Sequence, residues 1–408
     1  MDLLTYSVAW LLVFVLLSTI WKKSQSSSNN NGQLPPEVPG AWPIIGHMHL
    51  LLADQISLQR ILAALANKHG PIFTLRLGMH RTVVITDRKA LRECFTTHDK
   101  ALAGRPESIA GEILGYNNAG FGFVSYGPYW RRIRKIVLSE VLSPRRLEKF
   151  GDARAAEVEA SIGELYSTVT GDGRRNRRNN SPVRINVDIG GSIKSMKRIA
   201  AEMDAIISGW IDEHAERRSE SDRDFIDVLL STVTDDLLEY GHTIIKATIA
   251  TIIVAGSDSP SLNLTWALSL LINNKDALER AQKEIDTIVG VERWLHRDPE
   301  VWAGAEEFRP DRFLPGGGAS EVDFLGQHFE YIPFGSGRRI CPGIGFATQV
   351  CHLVLGRLIQ GFEFGAPPCA AVDMTEGVSF SLPRAKPLEV LVAPRLASAL
   401  YEQKRIAS

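Results

Sequence analysis

The sequence predicts a mainly α domain with a small β part. Helical periodicity covers most of the chain, and only "IFTLRL" (72–77) and "TVVIT" (82–86) read as strands. With 408 residues and 44% apolar content, the chain can bury a deep core as one large domain or two ordinary ones. A net charge of −1 gives no bulk attraction for nucleic acid or for acidic partners. The four cysteines, Cys94, Cys341, Cys351 and Cys369, lack CxxC spacing. That pattern argues against a disulfide scaffold and a zinc site, and fits a reducing compartment.

Taken in order, the chain opens with an almost wholly apolar run, Leu3 to Trp21, followed at once by Lys22 and Lys23. As a helix rising 1.5 Å per residue it approaches the ~30 Å bilayer core, and "LSTIWKKSQ" offers no small-x-small cleavage site. Residues 1–23 are therefore expected to form an uncleaved membrane anchor, with the lysines on the cytosolic side. Residues 24–43 form a tether and hinge: polar "SQSSSNNNGQ", then four prolines between Pro35 and Pro43 that hold the backbone extended.

Residues 44–408 read as one body. Helical patterns span Ser57 to Lys68, a stretch from about Lys89, most of Trp130 to Tyr166, Ser192 to Arg218, Asp224 to Thr232 and Leu237 to Ile288. Gly78 turns the two strands into a hairpin. Within the last helical stretch, His242 to Ile272 is apolar nearly all round. Lys246, Asp258 and Asn263 argue against a second membrane span, which leaves a core helix. The basic "GDGRRNRRNNS" reads as a solvated loop.

The chemistry concentrates in "PFGSGRRICPG", Pro333 to Gly343. A thiolate ligand needs positive partial charge about it. Glycines 335, 337, 343 and 345 allow backbone N–H groups to approach Cys341, and a helix beginning near Ile344 would aim its positive end back at the sulfur. Arg339 can reach an anionic group on whatever the sulfur binds. These features fit a cysteinate ligand to haem iron, or a structural cysteine in a glycine-rich turn.

Phe334, Gly337, Arg339, Cys341 and Gly343 match Phe-x-x-Gly-x-Arg-x-Cys-x-Gly, the haem loop of the cytochromes P-450. Five fixed residue types at fixed spacing arise by chance on the order of once in ten thousand such chains. Other stretches agree in order: the proline hinge, Trp130 and Arg134 in "WRRIR", and "FRPDRF". "LTWALSLLINN" and "HRDPEVW" resemble the plant microsomal branch. The resemblance runs from Pro35 to Leu396.

It implies a haem-thiolate monooxygenase whose catalytic domain is cytosolic, on a single-pass anchor in the endoplasmic reticulum membrane. Cys341 would be the axial ligand of haem b, and Trp130, Arg134 and Arg339 would hold the propionates. In "AGSDSPS", Asp258 and Ser259 would relay protons to bound dioxygen; a carboxylate buried in an apolar helix is costly without such a role. Pro260 departs from the pattern, since it removes the N–H that would bond the Gly256 carbonyl. Arg131 and Lys135 would form a basic face that docks an NADPH-cytochrome reductase, unless they are simply a solvated face. A small lipophilic substrate, of secondary-metabolite type, would meet residues 105–124 and a late turn at Glu376 to Phe380.

The family's Glu-x-x-Arg helix has no counterpart in the expected place. Segments of the pattern are missing at two joins, near 187–189 and 294–295, as skipped exons or a faulty gene model would leave them. Arg312, the usual partner of that helix, would cost ~3–5 kcal/mol if buried without its carboxylates. Two other outcomes follow from these departures: an inactive member that cannot retain haem, or a haem-thiolate isomerase or dehydratase.

Overall fold

The computed structural model describes residues 35–52, 56–171, 192–216, 224–232, 241–287, 302–305, 307–367, 371–379 and 381–402. The expected anchor, most of the tether, both joins, Cys369 and Phe380 lie outside the described residues. The chain divides into two compact units, one of residues 1–93 with 374–386, the other of 94–373 with 387–408.

The smaller unit carries α1 (Met48–Leu52), α2 (Leu58–His69), β1 (Ile72–Leu77) and β2 (His80–Ile85). The strands pair antiparallel from Ile72 opposite Ile85 to Leu77 opposite His80, with the expected turn at Gly78. Val38, Phe73 and Leu75 are its buried core. His47 is fully buried; its Nδ1 accepts the Arg76 N–H at 2.8 Å, so Nε2 carries the proton donated to the Val38 carbonyl at 2.7 Å. Glu376 accepts from the Ser57 hydroxyl at 2.6 Å and from Arg60 Nε at 3.0 Å. The carboxylate that the sequence places near substrate is thus committed to holding this unit together.

The larger unit is helical. It begins within α3 (Arg88–Phe95) and continues through α4 (Asp99–Leu102), α5 (Ile109–Ile113), α6 (Pro128–Ile136), α7 (Pro144–Lys149) and α8 (Gly151–Val169). Then follow α9 (Ser192–Glu216), α10 (Phe225–Thr232), α11 (Gly241–Asn273), α12 (Lys275–Thr287), α13 (Ile344–Gly361) and α14 (Ala399–Glu402). β3 (Phe362–Gly365) pairs antiparallel with β4 (Leu391–Pro394).

The helical stretch expected from Trp130 to Tyr166 is broken. Its first helix has Pro128 in the first turn, where a missing N–H costs nothing, and passes into a π-helical turn at Val137–Val141. Pro144 then starts α7. The stretch expected from Leu237 to Ile288 is likewise two helices, because Asn274 ends one and its carbonyl accepts the Leu278 N–H that starts the next.

The main core joins Phe121, Trp130, Ile133 and Val137 to residues of α9, α10 and the first half of α11, including Ile207, Leu229 and Ile249. A second cluster packs α11, α12 and α13 through Leu271, Leu278, Leu355 and Ile359. The long apolar helix is therefore buried at both ends, but its middle, Ile253 to Ala255 and Ser257 to Ser259, is exposed. Among the described residues, no helix is long and apolar enough to cross a membrane.

Candidate functional site

The loop before α13 is closed by the Cys341 N–H, which donates to the Phe334 carbonyl at 2.9 Å. Gly335 and Gly337 adopt left-handed φ of 71° and 64°, which lets the chain turn into the short Gly337–Arg339 helix. A Cβ on Gly337 would stand 2.6 Å from Asp99 Oδ1, so only glycine fits there. Asp99, in α4, braces the loop: Oδ1 accepts the Arg338 N–H at 3.0 Å and Oδ2 lies 2.8 Å from Arg338 Nε. Sequence reasoning missed Asp99, because nothing in "THDKALAGRPE" distinguishes it from a surface acid.

α13 starts at Ile344 with Gly343 as its cap, as expected. The Gly343 N–H lies near enough to the half-buried Cys341 sulfur to act on its charge. Burial pushes the thiol up, while that N–H and the nearby Arg134 charge pull it back in part.

Trp130, only 4% exposed, donates from Nε1 to the Phe121 carbonyl at 3.0 Å. Two guanidiniums address its ring, Arg134 at 5.2 Å and Arg339 at 4.7 Å. Arg134 also donates to the carbonyl of Ile340, next to the cysteine. Burial, with repulsion from Arg105 and Arg134, pushes Arg339 down to about 10; it stays charged at neutral pH. Arg105 is thus a third cation at this place, which the sequence marked only as the start of a substrate segment.

Three neighbouring guanidiniums, of which Arg134 is near the Cys341 sulfur, form a site that an anionic ligand edge would compensate. The donor set fits haem: Cys341 could hold the iron, and Arg134 and Arg339 could bond its carboxylates. Phe334, Gly337 and Gly343 supply the loop's closing carbonyl, its tight turn and the cap of the following helix.

The structure also brings the oxygen motif to this helix. A Cβ on Gly256 would lie 3.6 Å from the Phe346 ring, so α11 meets α13 close to Cys341. Asp258 and Ser259 are exposed and Pro260 is buried within one continuous helix. The desolvation cost that pointed to Asp258 therefore does not operate here. Arg131 and Lys135 are exposed on α6, where an open groove of about 410 Å³ is lined by Trp130, Arg131, Arg134, Lys135, Leu138 and Ser139.

Arg312 is not buried. It stacks 5.8 Å from the Trp302 ring and donates to the carbonyls of Arg309 at 3.1 Å and Gly304 at 3.2 Å. The large penalty expected for a buried, unpaired guanidinium does not arise.

The profile of the cytochrome P-450 family matches residues 35–173, 179–293 and 291–391. A nicotine N-demethylase of Nicotiana tomentosiformis is 33% identical over 516 residues, covering 97% of this chain and 98% of that one. Vinorine hydroxylase of Rauvolfia serpentina is 36% identical over 524 residues, covering 98% and 100%. These alignments are longer than the 408 residues of this chain, so a stretch of each relative has no counterpart here. Among solved structures, a zebra fish cytochrome P-450 with progesterone superposes with a TM-score of 0.65 at 21% identity, over 82% of this chain and 99% of that one.

Proposed function

The chain belongs to the cytochrome P-450 family, haem-thiolate oxidoreductases, and from that premise we propose that it inserts one oxygen atom of dioxygen into a small lipophilic molecule. Two electrons from NADPH, delivered through a reductase, and two protons reduce the other oxygen atom to water. The Cys341 loop carries this reading: it is closed by the Phe334 carbonyl, followed at once by the helix that Gly343 caps, and held by Arg134 at Ile340, so positive partial charge surrounds the sulfur as a thiolate ligand needs. When bound, haem supplies the redox chemistry that activates dioxygen, and thiolate ligation favours O–O cleavage.

The remaining roles belong to side chains. Arg134 and Arg339 hold the carboxylates of the cofactor and keep it in register over the Cys341 loop. Ser259 passes a proton toward the oxygen side, and Asp258, exposed beside it, takes protons from water. The exposed apolar turn of α11 at Ile253 and Val254, just beyond Thr251 on which Gly120 and Gly122 lie, gives a lipophilic substrate a surface to pack on. The relatives' named activities, nicotine demethylation and vinorine hydroxylation, support a small organic substrate. Arg131 and Lys135, beside the groove on α6, suit an acidic reductase. The apolar run 3–21 followed by two lysines supports a single-pass anchor in the endoplasmic reticulum with the catalytic domain cytosolic.

A second reading has its own support. The relatives' alignments outrun this chain, two stretches of the family match overlap at residues 291–293, and Arg312 bonds to carbonyls where the family uses carboxylates. Under it the chain is an anchored member that does not retain haem. One experiment decides: the full chain is expressed in microsomes, reduced and exposed to carbon monoxide. A thiolate-type Soret shift that Cys341→Ser abolishes supports the monooxygenase; a spectrum without haem overturns it.

A further inference from the structure

The two ends of segment 105–124, which lies within the larger unit and sends Phe121 into its core, come together in a narrow neck. Its two flanks are joined by one side chain from the cysteine loop. Arg339 donates from Nε to the Ala103 carbonyl at 2.9 Å, from one Nη to the Val124 carbonyl at 2.7 Å, and from the other to Phe121 at 3.4 Å. Ser125 adds a second tie, since its hydroxyl accepts the Arg105 N–H at 3.0 Å and donates to the Arg105 carbonyl at 2.9 Å.

We propose that Arg339 and Ser125 form a clasp that closes the neck of segment 105–124, so that the cysteine loop sets the shape of the segment that meets substrate. This rests on the reading of 105–124 as substrate-facing. The clasp does not compete with cofactor binding. A guanidinium has five N–H groups, and the three bonds above leave two for an anionic carboxylate. Trp130 locks the arrangement, because its ring lies under the Arg339 guanidinium and its N–H shares the Phe121 carbonyl.

The segment needs such a restraint. Tyr116, Asn117 and Asn118 all hold left-handed φ of 52°, 56° and 60°, a run that persists only where surrounding contacts over-determine it. Beyond that turn the chain lies directly on α11. A Cβ on Gly120 would stand 2.5 Å from Thr251 Oγ1 and 3.3 Å from the Ala247 carbonyl, one to two turns before the oxygen motif. Slack at the neck would therefore move the segment against the α11 surface beside Ile253 and Val254. Arg339 acts here as a positioning residue, in addition to holding a carboxylate.

The test is backbone hydrogen exchange on the full haem-free chain. Arg339→Lys keeps the charge but cannot span three carbonyls; exchange across 105–124 should rise about tenfold, and about threefold in Ser125→Ala, with α8 and α12 unchanged. Ethylguanidinium should restore protection to Arg339→Ala, and methylammonium should not. Unchanged protection of 105–124 in Arg339→Lys and Ser125→Ala overturns the clasp, as does equal rescue by both cations. If the Arg339 variants lose protection in α8 and α12 as well, they have unfolded, and Ser125→Ala alone decides. The haem-loaded Ser125→Ala protein separates the clasp from the substrate reading. 4-Phenylimidazole, large enough to reach the segment, should bind about fivefold more weakly by Soret titration, while imidazole is unaffected. Faster exchange with no change in 4-phenylimidazole binding would keep the clasp and overturn the assignment of the segment to substrate.

Discussion

Arg134 is bonded to the carbonyl of Ile340, the residue before Cys341, and also lines the basic groove on α6. One side chain thus connects the outer face of the helix to the cysteine loop. A charge-assisted bond to a carbonyl contributes ~1.5–3 kcal/mol, and the proposed function gives the same guanidinium a haem carboxylate to hold. Arg134→Met is expected to release haem at least about tenfold faster, followed by transfer to apomyoglobin. Arg134→Lys, which keeps charge without the planar fork, should fall between. Equal release rates in all three proteins would remove Arg134 from the cofactor site.

On the neighbouring face, Arg131 and Lys135 are exposed, and exposed charges act on encounter more than on affinity. Arg131→Glu with Lys135→Glu should slow association with a reductase about tenfold at low salt, and the difference should fade as ionic strength rises. Stopped-flow reduction kinetics at several salt concentrations measure this. A salt-independent rate in the wild type would make these residues an ordinary solvated face.

Arg312 makes its bonds without being buried. Its guanidinium meets two carbonyls and the Trp302 ring, and Trp302 packs in turn on Phe313 and Tyr331. Arg312→Ala should therefore cost ~1 kcal/mol in urea unfolding, well below the ~3–5 kcal/mol of a broken buried pair. A loss at the upper figure would mean that the residue has a buried carboxylate partner after all.

The sequence reveals most where chemistry demands fixed spacing. The Cys341 loop, the helix start at Ile344, the β1–β2 hairpin and the i,i+4 pairing of Trp130 with Arg134 all follow from local rules, and the structure has them. What stays hidden depends on contacts distant in sequence. Asp99 reaches Arg338 across more than two hundred residues, and Arg339 reaches Ala103 across as many. Neither pairing leaves a periodic or compositional trace. Asp258 differs in the opposite direction: an apolar neighbourhood in sequence suggests burial, yet the side chains of Ile253 to Ala255 and Ser257 to Ser259 are exposed among the described residues.

His214 gives the larger unit a pH dependence. Its Nδ1 lies 2.6 Å from the Trp210 carbonyl and its Nε2 2.6 Å from an Asp224 oxygen; both partners only accept, so both ring nitrogens must carry protons. Burial pulls its pKa down, but the Trp210 carbonyl, the Asp224 hydrogen bond and the charges of Asp224 and Asp227 outweigh it and hold the value above the ordinary one. A raised folded value contributes stability in full below the unfolded value of about 6.5, and loses it as pH rises through the folded value. Asp224 is 42% exposed, so the contribution should be only ~1 kcal/mol. Wild type should exceed His214→Gln in Tm near pH 6, and the gap should close toward about pH 9. A gap that stays constant or widens with pH would refute the charged assignment.

Pro260 separates stability from chemistry. It is buried in the middle of α11 and has no N–H to offer the Gly256 carbonyl, yet the helix runs on to Asn273. A proline at such a position costs ~3 kcal/mol relative to alanine, so Pro260→Ala should stabilise the chain by ~1–3 kcal/mol after the lost packing is subtracted. The freed Gly256 carbonyl lies where α11 approaches Phe346, and an acceptor there can hold a water or hydroxyl on the oxygen side. Pro260→Thr returns an N–H to that carbonyl and also adds a hydroxyl next to Ser259. In the haem-loaded protein this should change the peroxide released per NADPH consumed by about twofold or more. If Tm rises while that ratio stays fixed, the proline is a passive kink and the Gly256 carbonyl takes no part in oxygen handling. If neither moves, the helix already satisfies that carbonyl by another route, and Pro260 has no part in oxygen handling.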